Sequence, residues 1–81
     1  MAIEKPLSEM PIGTVGTVIE NGLTGLTKRR LMDLGFIPGS KIEVLRKSPA
    51  GDPTAYYVRG TIIALRNNEA SHISIIPHNK F

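Results

Sequence analysis

Hydrophobic and polar positions change period along the chain, and the changes mark the elements. Residues 14–20 read Thr-Val-Gly-Thr-Val-Ile-Glu. β-Branched residues dominate this run and predict a strand. Gly16 inside it predicts a bulge or a sharp bend. The next segment has a helical period. Leu23, Leu26, Leu31 and Leu34 fall within an arc of about 140° on a helical wheel, which predicts a helix over residues 23–34 with these leucines as its buried stripe. Lys28, Arg29 and Asp33 face elsewhere. Arg30 lies nearer the stripe, where its aliphatic stem can lie across the core. Gly35 is expected as a left-handed cap, Phe36 can pack back on the helix, and Pro38 forbids its continuation. Pro38-Gly39 then suits a type II turn.

From residue 41 the period becomes two. Ile42 and Val44 alternate with Lys41, Glu43 and Leu45 in a strand over residues 41–47. Residues 48–53 carry two prolines and a glycine and form a loop. A strand follows over 54–59, with Tyr56 and Val58 on one face and Tyr57 and Arg59 on the other. Gly60 marks a corner. Residues 61–65 are a further strand, 66–70 a single helical turn, and 72–76 the last strand, with Ile73 and Ile75 on its core face. Residues 1–11 read as an irregular lead-in, with a short turn starting at Ser8 and Glu9. The expected organisation is one domain over residues 1–81, with flexible ends at 1–6 and 77–81.

Five short strands, one helix after the first strand and a helical turn before the last describe an all-β chain. Small all-β chains hide their edges by curling into barrels. A five-stranded, partly open SH3-like barrel is the expected architecture. An OB-fold fits less well, because its helix sits between the third and fourth strands. Open barrels leave strand edges that can pair, so weak self-association is compatible with this reading.

Composition narrows the functional classes. A chain of 81 residues buries roughly 60% of its unfolded surface, so nearly every apolar residue must be well placed. It has no cysteine, which excludes a disulfide framework, a thiolate metal cage and a cysteine nucleophile. Glu4, Lys5 and Glu9 interrupt the N-terminus, where no signal-like apolar run occurs. Uninterrupted apolar stretches are far shorter than the roughly 20 residues that span a bilayer. The expected location is the cytoplasm, with no insertion into the membrane.

The candidate chemistry is sparse. Gly35 to Lys41 superficially suggests a phosphate loop. Its glycines stand too close together, Ser40 separates the second from the lysine, and Pro38 lacks a backbone N–H. His72 and His78 are the available imidazoles; six residues of strand span about 20 Å, too far to share one ion without a reversal between them, for which Pro77 is the candidate. Asp33, Glu43, Asp52 and Glu69 are scattered. No Ser, His and Asp group suggests hydrolysis, so no catalytic role and no intrinsic cofactor are expected. A polyproline groove needs aromatics, and the chain has no Trp and only Phe36, Tyr56, Tyr57 and Phe81. Lys28-Arg29-Arg30, Arg46-Lys47, Arg59 and Arg66 give scattered positive charge. The net charge is only +3, and stacking aromatics are not interleaved with the basic residues. Nucleic acid is therefore not the expected partner. A small basic barrel that binds RNA or another protein, or a weak transition-metal module, stands as the alternative.

Two surfaces suit a protein partner. One is the solvent face of the helix, with Lys28, Arg29 and the flexible thioether of Met32. The other is the loop with Ser48, Pro49, Asp52 and Pro53, whose prolines lower the cost of ordering on binding.

One ordered set of residues carries a family resemblance. The run from Arg29 to Gly39, Arg-Arg-Leu-Met-Asp-Leu-Gly-Phe-Ile-Pro-Gly, resembles a signature of FeoA-type ferrous iron transport proteins. Leu7-Ser8-Glu9-Met10, Gly51-Asp52-Pro53, Val58-Arg59-Gly60, Ile63-Ala64-Leu65-Arg66 and Glu69-Ala70 resemble that family in order and spacing. The similarity spans roughly residues 6–76. It implies a cytoplasmic SH3-like domain that works with FeoB, a membrane Fe(II) transporter bearing a GTPase domain, with Fe(II) as the partner's cargo. The same fold occurs at the C-terminus of metal-dependent repressors of the diphtheria-toxin-repressor type. The stand-alone form is expected here, without their DNA-binding helices or dimerisation region.

Overall fold

In the computed structural model, which describes residues 3–78, the chain forms one antiparallel sheet that curls around its core. The strands are β1 (Lys5–Pro6), β2 (Val15–Asn21), β3 (Lys41–Lys47), β4 (Thr54–Val58), β5 (Thr61–Leu65) and β6 (Ile73–Pro77). Their spatial order is β1-β6-β2-β3-β4-β5. Helix α1 (Gly25–Leu34) follows β2, and the short α2 (Asn67–Ala70) precedes β6. This is the all-β, SH3-like arrangement that the strand pattern predicts, with the helices in the expected places.

The core follows the period-two pattern. Ile42 and Val44 of β3, Tyr56 and Val58 of β4, and Ile73 and Ile75 of β6 are all buried. Tyr57, one residue out of phase, is 45% exposed. The β4–β5 hairpin turns through Arg59 and Gly60, with φ of 52° and 80°. Two successive positive φ values match a type I′ turn, whose twist suits adjacent antiparallel strands.

The end of α1 is built as its sequence predicts. Gly35 is left-handed, with φ 117° and ψ 1°. Its N–H donates to the Met32 carbonyl at 3.0 Å, and the Phe36 N–H donates to that of Leu31 at 2.9 Å. These two bonds form a Schellman cap, with Leu31 and Phe36 both buried beneath it. A Cβ on Gly35 would lie 2.7 Å from Cδ of Arg59, so the arginine stem occupies the space a side chain would need. The Ser40 N–H donates to the Ile37 carbonyl at 3.1 Å and Gly39 has φ 94°, as expected of the Pro38-Gly39 turn.

The structure departs from the sequence reading at several places. There are six strands rather than five, because Lys5 and Pro6, which the sequence reading assigns to a flexible end, pair with Ile75 and Ser74. The short turn at Ser8 and Glu9 is part of a 3-10 helix, Leu7–Glu9, that buries Leu7. At the other end Pro77 belongs to β6, and the His78 N–H donates to the Val15 carbonyl at 2.7 Å. The remaining end residues, 1–2 and 79–81, lie outside the described residues.

The helix also begins later than expected. Leu23 precedes it, packed on the core. Leu26, read as part of the buried stripe, is 86% exposed. The wheel angle is right, but the fold leaves the Leu26 side chain uncovered. Gly16, finally, is not the site of the bulge in β2, which falls between Val18 and Glu20. Gly16 answers instead to close approach: a Cβ there would stand 2.9 Å from the Ile76 carbonyl oxygen.

Candidate protein-binding surfaces

On α1, Lys28 and Met32 line a shallow groove of about 180 Å3 with Ile19, Glu20, Asn21 and Pro38. Met32 is 37% exposed and Lys28 half-buried. Arg29 is exposed beside this groove and does not line it. At 100° per residue, the face from Lys28 through Met32 and Arg29 to Leu26 spans about 160°. It joins a thioether, two cationic side chains and an exposed leucine, a composition that suits an apolar contact with an acidic rim. The sequence reading missed Leu26 here because it assigned that residue to the core.

The loop between β3 and β4 is held by its own backbone. The Ser48 N–H donates to the Pro53 carbonyl at 3.0 Å, and the Gly51 N–H to that of Ser48 at 2.8 Å. Ser48, Pro49 and Pro53 line an apolar groove of about 270 Å3. Asp52 does not. Its Oδ1 accepts the N–H of Asn67 at 2.9 Å and so satisfies an orphan donor in the first turn of α2. The structure thus brings three of the four candidate loop residues to one groove and ties the fourth to the fold.

A third depression, of about 370 Å3, had no sequence signal. It lies where the start of α1 meets α2, lined by Thr24, Thr27, Arg66, Asn68, Glu69 and His72. Glu69 anchors it. Its Oε2 accepts from Nη2 of Arg30 at 2.9 Å and its Oε1 from the Arg66 N–H at 3.2 Å. Arg30, expected to lay its stem over the core, is exposed and spends its guanidinium on this ion pair. The two partners are 39 residues apart, so no local pattern announces them.

His72 and His78 flank opposite ends of β6. His78 Nε2 lies 2.6 Å from Oγ1 of Thr17. Among the described residues, no three His, Cys, Asp or Glu side chains gather into a metal-holding group. Among the described residues, no helix is long and apolar enough to cross a membrane. Burial raises the pKa of the Tyr56 hydroxyl above its ordinary 10.0, a hydrogen bond with Thr54 opposes this, and the charge of Asp52 adds to it.

Comparison with known proteins places this geometry. A family model of the FeoA domain matches residues 5–77. The chain belongs to the FeoA family. A solution structure of FeoA from Chlorobium tepidum superposes with a TM-score of 0.84 at 38% identity, over 89% of this chain and 69% of that one. A zinc-complexed FeoA from Stenotrophomonas maltophilia, described as an SH3 domain protein, gives 0.75 at 32% identity, over 93% and 88%. In Porphyromonas gingivalis strain W83, a fusion of Fe(2+) transport protein A with the Fe(2+) transporter FeoB is 28% identical over 69 residues. That stretch is 85% of this chain and 8% of the fusion protein. This FeoA domain therefore corresponds to a small part of that relative.

Proposed function

We propose that this FeoA-family chain is an accessory subunit of ferrous iron uptake. It binds the cytoplasmic part of a FeoB-like, GTPase-containing transporter, and Fe(II) is the transporter's substrate. The observation that carries the reading is the fusion relative, which joins an A-type domain to FeoB in one polypeptide. A covalent link of suitable length holds two modules at about millimolar effective concentration, which favours any contact they make. Where the two are separate polypeptides, the domain must reach the same proximity through its own surface.

The outer face of α1 is the surface best suited to this. Leu26 and Met32 offer apolar area that the fold leaves uncovered, and Lys28 and Arg29 offer charge that steers an acidic partner. Binding there biases the transporter only if its affinity differs between the transporter's states. The protein acts by contact, in the cytoplasm, with no catalytic step of its own.

The test is calorimetric titration of the chain into a detergent-solubilised FeoB-like transporter from the same cells. Saturable binding, weakened about tenfold by the double substitution Lys28→Glu and Arg29→Glu, is the expected result. Absence of binding in every nucleotide state would overturn the adaptor reading. Binding indifferent to the double substitution would move the contact off α1.

A further inference from the structure

β5 ends the sheet, and among the described residues no strand pairs with its outer edge. Its sequence, Thr-Ile-Ile-Ala-Leu, contains no charge and no proline, the usual devices that keep a free edge from pairing. Val58 pairs with Thr61 across the two-residue turn. In such a hairpin the closing pair exchanges both backbone bonds, and the pattern alternates from there. Thr61, Ile63 and Leu65 therefore bond to β4. Ile62 and Ala64 turn their N–H and C=O groups outward.

The outer face beside this edge is apolar. Ile62, 54% exposed, lies opposite the half-exposed Tyr57, and Ala64 lies opposite Ala55. Both alanines line the 270 Å3 groove that Pro49 and Pro53 also border. Ser48 Oγ, in the same wall, is buried with no hydrogen-bond partner. The charged residues lining the groove are Arg46 and Lys47. Glu43, the carboxylate on the adjoining row, stands on β3, two strands in from the edge.

We infer that the β5 edge and this groove form a second binding site, for an extended peptide with an apolar centre and acidic flanks. The peptide adds a strand to the sheet through Ile62 and Ala64. One of its side chains enters the groove over Ala55 and Ala64, and its acidic flank meets Arg46 and Lys47. Charge selects this occupant over a second copy of the chain. Antiparallel self-pairing about Ile63 would set Arg66 of one copy opposite Gly60 of the other, beside its Arg59, in a protein already at +3. The site shares no lining residue with the groove on α1, so it stands whether or not the transporter reading does.

The probe is the synthetic peptide acetyl-Asp-Glu-Val-Thr-Val-Thr-Val-Glu-Asp-amide, titrated into the isotope-labelled chain and followed by amide NMR. Shifts confined to Ile62, Ala64 and the groove, with slowed hydrogen exchange of the Ile62 and Ala64 amides, are expected. Ala64→Pro removes one outward N–H, and Arg46→Glu, at an exposed position, reverses the charge. Each weakens binding about tenfold while the thermal transition persists. Arg46→Glu alone decides the matter if the proline variant does not fold. No shift at millimolar peptide, or equal binding of a peptide with lysine at every acidic position, would overturn the proposal. Concentration-dependent protection of the edge without peptide would overturn it in favour of a second copy.

Discussion

The two ends of α1 are built in opposite ways. At the C-terminal end, Leu31 and Phe36 are completely buried. The Phe36 ring meets Tyr56 edge-on with centroids 6.4 Å apart, and its carbonyl accepts from Nδ2 of Asn21 at 3.3 Å. Gly35 supplies the left-handed conformation that closes the cap. At the N-terminal end, Thr24 makes no side-chain capping bond, and the first turn carries no acidic residue. A Cβ on Gly25 would meet nothing within 4 Å, and Leu26 stands in solvent. One end of a ten-residue helix thus holds the barrel closed, while the other contributes little to it. A large apolar residue at the idle end is unaccounted for by folding, which is why it is read here as part of a contact.

The largest expected effect lies at the closed end. Leu31→Ala should destabilise the protein by about 3 kcal/mol, since it removes a fully buried side chain and leaves a cavity under a cap that cannot collapse. Chemical denaturation monitored by circular dichroism measures this as a fall in midpoint at constant slope. A cost below about 1 kcal/mol would mean that the cap relaxes freely, and the contrast between the two ends would fail.

The same contrast separates what the sequence makes legible from what it does not. The C-terminal end is readable because its signals are local. Leu31, Gly35, Phe36, Pro38 and Gly39 each act on neighbours within a few residues. The strands are readable for a similar reason: alternation at Ile42 and Val44, or at Ile73 and Ile75, reports a single buried face. The misread features all depend on distant chain. Leu26 has the correct angle on the wheel, but its burial depends on whether the sheet extends beneath it. Lys5 and Pro6 gain their strand only from Ile75 and Ser74. Asp52 looks like an exposed loop carboxylate until Asn67 is brought to it. Both grooves arise where separate segments meet, so residue type pointed to Met32 and Pro49 while nothing pointed to Ala55 or Ala64.

A smaller, pH-dependent effect sharpens the picture of the closed end. The folded state holds the Tyr56 hydroxyl proton more tightly than the unfolded chain does, chiefly through burial. The stability this contributes is fully present below the unfolded value of 10.0 and is lost as pH rises through the folded value. Denaturation midpoints should therefore fall above about pH 10. Tyr56→Phe removes the titrating hydroxyl from the core and should flatten the alkaline decline. An unchanged alkaline slope in Tyr56→Phe would place the decline in other groups.

The smallest effect on folding is expected at the idle end, and it is the most informative about function. Leu26→Ser removes a leucine that the fold leaves almost wholly exposed, so stability should change by no more than about 0.5 kcal/mol. If the outer face of α1 docks on a transporter, the same substitution should weaken that complex about tenfold or more, because an apolar side chain that becomes buried only on binding contributes to the bound state alone. Thermal melting and calorimetric titration of one variant read the two quantities side by side. A loss of stability comparable to that of Leu31→Ala would return Leu26 to the core and remove the main argument for a contact here. Unchanged stability with unchanged affinity would leave the leucine exposed but outside the interface. Unchanged stability with lost affinity is the combination that only a docking residue produces.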